Sequence, residues 1–159
     1  MIRTYTRISV LTAGVLLLAS PVVAQNVQIW HLVNSDAQGG WAYSDDTPGM
    51  VAAAYWFTDA QELDPTHHFY GTVIKMKIDC KTTQSSTQGQ DWFGKDQGLL
   101  GNTSTDGPWQ ALTPDRASYD VDALIIDKCA GTNLPSIDQV TGNEATLMTW
   151  LAAKSASAQ

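Results

Sequence analysis

The sequence is poor in charge, and poorest in basic charge. Only 16% of its 159 residues are charged, with 9 Lys and Arg against 16 Asp and Glu, which gives a formal net charge of −7. A nucleic-acid-binding protein needs a basic surface to displace the counterions of the phosphates, so this class is excluded. Six Trp, five Tyr and three Phe exclude a disordered polymer, which would contain few aromatic residues. The chain is therefore predicted to form one acidic globular domain.

Long apolar runs are also missing. The longest, Ile8–Ala19, has 12 residues, whereas a helix needs about 20 to cross a bilayer. Two arginines precede this run, Ser20-Pro21 interrupts it, and the small residues of Val22-Val23-Ala24 follow. This three-part pattern is typical of a secretory signal peptide, here of bacterial form, and predicts that residues 1–24 are removed. The alternative is an N-terminal membrane anchor.

Removal of residues 1–24 would take away two of the nine basic residues and none of the 16 acidic ones, leaving a mature chain at −9. We expect this chain to be exported to the periplasm, the cell surface or the extracellular space, without a membrane span. Its negative charge predicts little attraction to anionic lipid surfaces. No cysteine follows the apolar run to carry a lipid.

Cysteine is scarce, since Cys80 and Cys129 are the only two. In an oxidising compartment such a pair is expected to form a disulfide. Closing a loop of about 50 residues would stabilise the fold by about 4 kcal/mol in the chain-entropy model. The alternative is a reactive thiol, which needs a neighbouring His or a helix N-terminus to lower its pKa. No local pattern provides either, so a structural disulfide between Cys80 and Cys129 is predicted.

Alternating hydrophobic residues predict about six strands in the first part of the mature chain. The predicted strands cover residues 26–33, 41–45, 50–58, 70–80, 91–95 with 99–100, and 109–112, and the predicted loops cover 59–68, 81–88 and 102–108. Strand 70–80 has the clearest pattern, with alternate residues from Ile74 to Cys80 on an apolar face. Lys75, Lys77 and Asp79 share the opposite face, which we expect to be solvated.

A helix is predicted after these strands. Thr113-Pro114-Asp115 combines a capping hydroxyl with a proline at the first helical position. Apolar residues between Val121 and Cys129 fall at helical spacing, and Gly131 is placed to end the helix. Alternation from Tyr119 to Ile125 leaves a strand open as the alternative in this stretch.

Residues 136–154 are predicted to form a second helical segment, interrupted at Thr141-Gly142, with Leu147, Trp150 and Leu151 on its apolar face. Strands followed by helices predict an α+β fold. We expect an antiparallel sheet of about six strands, with a C-terminal helix that the disulfide tethers. The predicted organisation is a signal peptide at 1–24, a domain at 25–131 and a C-terminal helical extension at 132–159.

The sequence contains no clear catalytic or metal-binding motif, so no catalytic residue, metal ligand or cofactor is predicted. His31, His67 and His68 lack the ligand spacing of a structural zinc site, and the adjacent pair is expected in a solvated loop. The hydroxyl-rich segment 102–107 lacks the lysine and the glycine spacing of a phosphate-binding loop. A Gly-x-Ser-x-Gly nucleophile elbow does not occur.

Acidic residues and tryptophans each leave two interpretations open. Asp115, Asp120, Asp122 and Asp127 could form a calcium or general-acid site, but they lack the fixed spacing around a glycine turn, and a solvated helix face is favoured. Tryptophan is predicted to fill the core, with an exposed recognition surface as the alternative. The six are Trp30, Trp41, Trp56, Trp92, Trp109 and Trp150.

Several landmarks follow one another in a defined order along the exported part of the chain. They are Trp30-His31-Leu32-Val33, Ala42–Asp45, Tyr55-Trp56-Phe57, Lys75–Cys80, Gly98, Trp109, Thr113-Pro114 and Cys129. Their order and spacing resemble the surface-adhesin protein E family of bacterial envelope proteins, over Val27 to Gly131. Two features depart from that family, because no lipid-anchor cysteine follows the signal and the chain continues beyond Gly131.

The resemblance implies an antiparallel sheet with a disulfide-tethered helix and non-enzymatic binding of extracellular proteins, and it supplies no catalytic residues. We therefore expect an exported, adhesin-like protein that binds an extracellular or envelope protein through residues that the sequence leaves unassigned. The alternative is a periplasmic inhibitor of a lysozyme-type enzyme, because lysozyme is basic and would be attracted by an acidic inhibitor. An enzyme is the third hypothesis, and homodimer formation stays open.

Overall fold

A computed structural model describes residues 27–64, 66–115, 117 and 119–158 of the chain. The predicted signal peptide, residues 1–24, lies outside the described residues, and its removal therefore stays a prediction. Within the described ranges no helix is long and apolar enough to cross a membrane.

The described residues form eight strands and two helices. They are β1 (Gln28–Asp36), β2 (Gly39–Ser44), β3 (Met50–Asp64), β4 (His67–Asp79), β5 (Gln84–Phe93), β6 (Leu99–Ser104), β7 (Gln110–Ala111), α1 (Val121–Cys129), β8 (Asp138–Gly142) and α2 (Glu144–Ser157). One antiparallel sheet has the order β6-β5-β4-β3-β2-β1-β8, with β7 paired to β5. The predicted α+β class is confirmed, with eight strands in these residues instead of about six.

Each face of the sheet packs against one helix. Because successive side chains of a strand point to opposite faces, Trp41 and Tyr43 face α1 whereas Ala42, between them, faces α2. The α1 face also holds Met76 with Leu124 of α1. Burial on both faces explains why β3 begins with the nearly continuous apolar run Met50–Phe57, since neither face of its first half can be polar.

Small side chains occupy part of the α2 face, which also holds Trp30 and Trp56. Alanines at 42, 52 and 54 are almost fully buried in the cluster that contains Leu147, Met148 and Leu151 of α2. A Cβ atom added to Gly71 of β4 would lie 2.5 Å from the Met148 Sδ. The helix can therefore lie close to the sheet only because these positions carry little or no side chain.

The prediction of one solvated face on β4 is wrong for the first half of the strand. Val73 is fully buried in the cluster beneath α2, and Lys75 is partly covered there. Only Lys77 is exposed as expected. Local alternation identified the two faces correctly, but it could not reveal that a helix later in the chain covers the second one.

Two predicted loops are mainly strand. Residues 59–68 were predicted as a loop, but β3 continues to Asp64 and β4 starts at His67, with Glu62 opposite His68. The predicted loop 81–88 is a short turn followed by β5 from Gln84. Residues 102–104, predicted as loop, extend β6. Each of the three segments gains backbone hydrogen bonds from a neighbouring strand, although their side chains are mostly polar.

Both helices begin later than predicted. Asp120 caps α1 by accepting a hydrogen bond from the backbone N of Ala123 at 2.9 Å, so Thr113-Pro114-Asp115 is not the helix start. Residues 138–140, predicted as helix, form β8 against β1 together with the predicted interruption at Thr141-Gly142, and Asn143 then caps α2. Gly131 follows the end of α1 with φ +70°, as predicted for a residue that ends a helix.

The segment predicted as a C-terminal helical extension at 132–159 is thus part strand and part helix. Its strand β8 joins the sheet next to β1, and its helix α2 contributes Leu147, Met148 and Leu151 to a core cluster. Residues 138–158 accordingly share one sheet and one core with the rest of the described chain.

The predicted disulfide between Cys80 and Cys129 is confirmed. The two Cα atoms lie 5.2 Å apart, and the bridge connects the end of β4 to the last residue of α1. The helix α1 has only nine residues, too few for independent stability. The bridge therefore fixes its C-terminal end against the sheet.

We predict that Cys129→Ser lowers the free energy of unfolding by about 4 kcal/mol in non-reducing buffer, because the unfolded chain loses the closed loop. Thermal or chemical unfolding of the variant and the native protein would measure this difference. A reductant should abolish this difference in stability, because it opens the bridge in the native protein. Equal stability without reductant would contradict the tethering role.

Candidate functional site

A cleft opens between the α2 face of the sheet and the first turn of α2. Its floor contains Ser44, Ala52 and Lys75, which are direct neighbours across β2, β3 and β4. Glu144 of α2 and Phe93 of β5 line it from the sides. The cleft has a volume of about 640 Å³, which lies within the usual range for small-molecule sites, roughly 300–1,000 Å³.

Three charged side chains meet at this cleft. The Lys75 Nζ lies 2.7 Å from the Asp91 Oδ2 and 2.8 Å from the Glu144 Oε1. Lys75 and Asp91 project from neighbouring strands, and Glu144 is the first residue of α2. The contact therefore joins the sheet to the beginning of the helix, whereas apolar side chains join them along its middle.

One ammonium group cannot balance two ionised carboxylates. Burial raises the pKa of Glu144 to about 7, a hydrogen bond with Asp91 acts in the same direction, and Lys75 opposes both. Burial lowers the pKa of Lys75, but its bonds to Asp91 and Glu144 outweigh that effect and raise it. Lys75 is therefore charged at neutral pH, while Glu144 keeps its proton to a higher pH than an ordinary glutamate does.

Ser44 contributes a buried hydroxyl to the same cleft. Its Oγ has no hydrogen-bond partner within the described part of the chain, and the residue is only 2% exposed. Leaving a buried polar group without a partner destabilises a fold by about 1–3 kcal/mol. Such groups are rare in native structures and call for an explanation.

A second surface feature is the sheet edge formed by β6. Leu99 and Leu100 are 56% and 59% exposed on this strand, which carries no charged side chain. β7 pairs with the opposite end of β5, and Trp109 just before it is 48% exposed. The edge therefore presents several large apolar side chains to solvent.

The structure separates the three histidines. The ring of His31 stacks on Tyr43 with centroids 5.1 Å apart, and its Nδ1 contacts the Ser136 Oγ. His67 pairs with Asp64 at 2.7 Å between Nδ1 and Oδ2, and His68 is exposed on β4. No group of three metal-ligating side chains occurs among the described residues.

Three of the acidic residues around α1, which were predicted to form a solvated helix face, accept hydrogen bonds from the chain itself. Asp120 caps the helix, Asp122 accepts a hydrogen bond from the Thr113 backbone N at 2.8 Å, and Asp127 accepts one from the Tyr119 hydroxyl at 2.9 Å. These bonds hold the segment before α1 against the helix. Asp115, the fourth of the set, is exposed.

Tryptophan occupies both environments that the sequence left open. Trp30, Trp41 and Trp56 are buried, and the Trp30 Nε1 donates a hydrogen bond to the Gly142 carbonyl at 3.3 Å. Trp92 and Trp150 are partly buried. Trp109 alone among the six is mainly exposed, which makes it the one candidate for a recognition surface.

Sequence reasoning missed the contact between Lys75, Asp91 and Glu144. Asp91 and Glu144 were not singled out, and Lys75 was assigned to a solvated face. A usable signal was the aspartate directly before Trp92-Phe93, because a carboxylate in an otherwise buried strand needs a partner. The identity of that partner depended on the placement of α2.

Comparison of the chain with family models, with curated proteins and with solved structures finds no match. The resemblance to the surface-adhesin protein E family therefore stays a prediction that rests on the residues quoted for it.

The pKa of Glu144 predicts how stability depends on pH. The folded protein holds this proton up to about pH 7, whereas the unfolded chain releases it near the ordinary value of 4.5. The stabilising contribution of the proton is therefore complete below pH 4.5 and is lost as the pH rises to about 7. We expect Glu144→Gln, which cannot ionise, to abolish this decrease.

Thermal unfolding between about pH 4.5 and 8 would measure the effect. Glu62→Gln is the matched control, because Glu62 is exposed on β3 and its loss should leave the decrease intact. Hydrogen bonds lower the pKa of Asp64, Asp79 and Asp138. These residues therefore change the free energy of unfolding only at a pH below this window. A decrease that persists unchanged in Glu144→Gln would contradict the assignment.

Proposed function

We propose that the protein is an exported, non-enzymatic binding protein of adhesin type, which recognises an extracellular or envelope protein through the β6 edge. The observation that carries the proposal is the exposure of Leu99 and Leu100 on an uncharged edge strand. A strand of this kind offers unpaired backbone groups to which an extended segment can add.

The composition of β6 supports this use. Edge strands are usually protected against unwanted pairing by lysine, proline or a bulge that twists the edge away. The sequence of β6, Leu-Leu-Gly-Asn-Thr-Ser, contains neither lysine nor proline. Leu100 forms a bulge in the pairing with β5, but residues 101–104 continue the strand in regular register. β8, at the opposite edge, has only five residues, and its Asp138 forms an ion pair with Lys154 of α2. Of the two edges, β6 is therefore the more suitable for a partner.

The chemistry of the cleft agrees better with binding than with catalysis. A nucleophilic lysine needs a lowered pKa, whereas two carboxylates raise the pKa of Lys75. Acid–base catalysis by Glu144 would need a substrate-derived proton within reach, and no such reaction is indicated by the sequence motifs.

A second candidate function is inhibition of a lysozyme-type enzyme in the periplasm. The observation in its favour is the net charge of −7, which becomes −9 without residues 1–24. Opposite charge accelerates association with a basic enzyme and makes it sensitive to salt. The proposed binding edge would be the same, but the partner would be basic.

Substitution of Leu100 by Lys tests the edge. We expect Leu100→Lys to weaken binding by about tenfold or more, because a charge would have to be desolvated against the partner. Leu63→Lys is the matched control, since Leu63 is 46% exposed on β3, away from the β6 edge. Biolayer interferometry on immobilised extracellular-matrix proteins and on a basic lysozyme would measure both variants.

Inhibition of lysozyme activity by the native protein, with weak binding to matrix proteins, would favour the second candidate. A shift from dimer to monomer in Leu100→Lys would instead assign the edge to a second copy of this chain. Equal binding by Leu100→Lys and Leu63→Lys would contradict the use of the β6 edge.

Protease treatment of intact cells tests export. We expect added protease to cleave the mature protein on intact cells while a periplasmic marker stays whole, because an adhesin must reach the surface. Protection of the protein until the outer membrane is opened would favour the periplasmic inhibitor. Recovery of an uncleaved N-terminus in the cytoplasm would contradict both.

A further inference from the structure

We propose that the cleft between the sheet and α2 binds a small organic amine, with its ammonium group between Glu144 and Ser44 and its apolar part against Phe93 and Leu99. This site does not depend on the proposed use of the β6 edge. It follows from three observations on the cleft: its charge balance, its unpartnered hydroxyl and its walls.

The charge balance favours a cation. Asp91 and Glu144 are both within 2.8 Å of the single ammonium of Lys75, so full ionisation leaves one negative charge in excess. Without a ligand, a proton on Glu144 can remove that excess, because burial raises the pKa of this carboxyl to about 7. An ammonium group carries the same charge and donates hydrogen bonds as well, so it can take the place of this proton.

Ser44 is the second observation. Its Oγ is buried in the cleft and lacks a partner in the described ranges. A hydroxyl oxygen accepts hydrogen bonds from an ammonium group. Ser44 and Lys75 are separated only by Ala52 across the strands, so one ligand head group can lie between the hydroxyl and the carboxylate that Lys75 contacts.

The walls favour a ligand with an apolar tail. Met50 and Phe93 line the cleft together with Leu99, which is more than half exposed. A volume of about 640 Å³ fits a molecule of the size of a substituted alkylamine or arylalkylamine. Covering these side chains would add hydrophobic stabilisation to the charged contact.

An anionic ligand fits less well, although α2 begins at the cleft. Anions bind helix N-termini through free backbone N–H groups, but the Asn143 Oδ1 already accepts from the Thr146 N at 2.9 Å. The Glu144 carboxylate occupies the first turn of the same helix. Lys75, the nearby cation, is held by two carboxylates.

Calorimetric titration with hexylamine, hexanol and hexanoate tests the inference on the full mature chain. We expect hexylamine to bind, and to bind about tenfold or more tightly at about pH 8.5 than at about pH 5.5, because Glu144 must release its proton. At the lower pH, binding should release a proton to the buffer. Hexanol and hexanoate share the tail and should bind at least about tenfold more weakly.

Two variants locate the amine. Glu144→Gln should weaken hexylamine binding by about tenfold and remove its pH dependence, whereas the control Glu62→Gln should change neither. Ser44→Ala should weaken binding without lowering the melting temperature, because it removes a hydroxyl that the free protein leaves unpartnered. This variant keeps the test decisive if Glu144→Gln does not fold.

Tighter binding of hexanoate than of hexylamine would overturn the proposal, as would the absence of binding by any probe. Hexylamine affinity equal to that of the native protein in both Glu144→Gln and Ser44→Ala would also overturn it. None of these outcomes bears on the β6 edge, because Leu100 does not line the cleft.

Discussion

Burial of the central strands on both faces is the constraint on which the other features depend. β2 and β3 lie in the middle of the sheet, with α1 packed on one face and α2 on the other. Their alternate residues must therefore suit two different helices. Both faces combine large and small side chains. Trp41 and Tyr43 lie with Ala53 on the α1 face, and the α2 face holds Trp30 and Trp56 beside alanines and Gly71, where the longer helix lies close.

The cleft results from the same packing. Along the middle of α2, Leu147, Met148 and Leu151 fill the space above the sheet. At its first turn the apolar contact is replaced by the ion pairs of Lys75 with Asp91 and Glu144. Ion pairs whose lysine is partly exposed contribute little net stability. The proposed amine site would give these pairs and the unpartnered Ser44 hydroxyl a role in ligand binding.

The two proposals use different parts of one region. The cleft lies on the α2 face, and its outer wall includes Leu99 at the start of β6. The edge of β6 presents its backbone sideways, away from that face. A protein partner at the edge and a small amine in the cleft could therefore be bound at the same time, and each can be tested without the other.

The parts of the fold that were predictable from sequence depend on local pattern. The alternation in β4 placed Met76 on an apolar face, which packs against α1, and Gly131 marked the end of α1. The expectation of export made the Cys80–Cys129 bridge the expected state. β8 was missed because Asp-Gln-Val-Thr-Gly has no strand pattern of its own and is a strand only through its pairing with β1.

The charged cleft could not be predicted from local sequence pattern, for a related reason. Lys75 and Asp91 come from the consecutive strands β4 and β5, whereas Glu144 lies on a helix much later in the chain. Asp91 before Trp92-Phe93 signals the need for a partner, but Lys75 and Glu144 alone look like ordinary surface charges. Ser44 carried no signal at all, because a serine at a strand end is usually solvated. Only the position of α2 over the sheet brings these side chains together.

The central claim is that the cleft holds one carboxylate more than its lysine can balance. Carbon NMR of protein labelled at glutamate Cδ measures this directly, because the chain has two glutamates, Glu62 and Glu144, and Glu144→Gln assigns the signals. We predict that Glu144 titrates with a pKa of about 7 in the free protein. Titration at the ordinary glutamate value of about 4.3 would contradict the account.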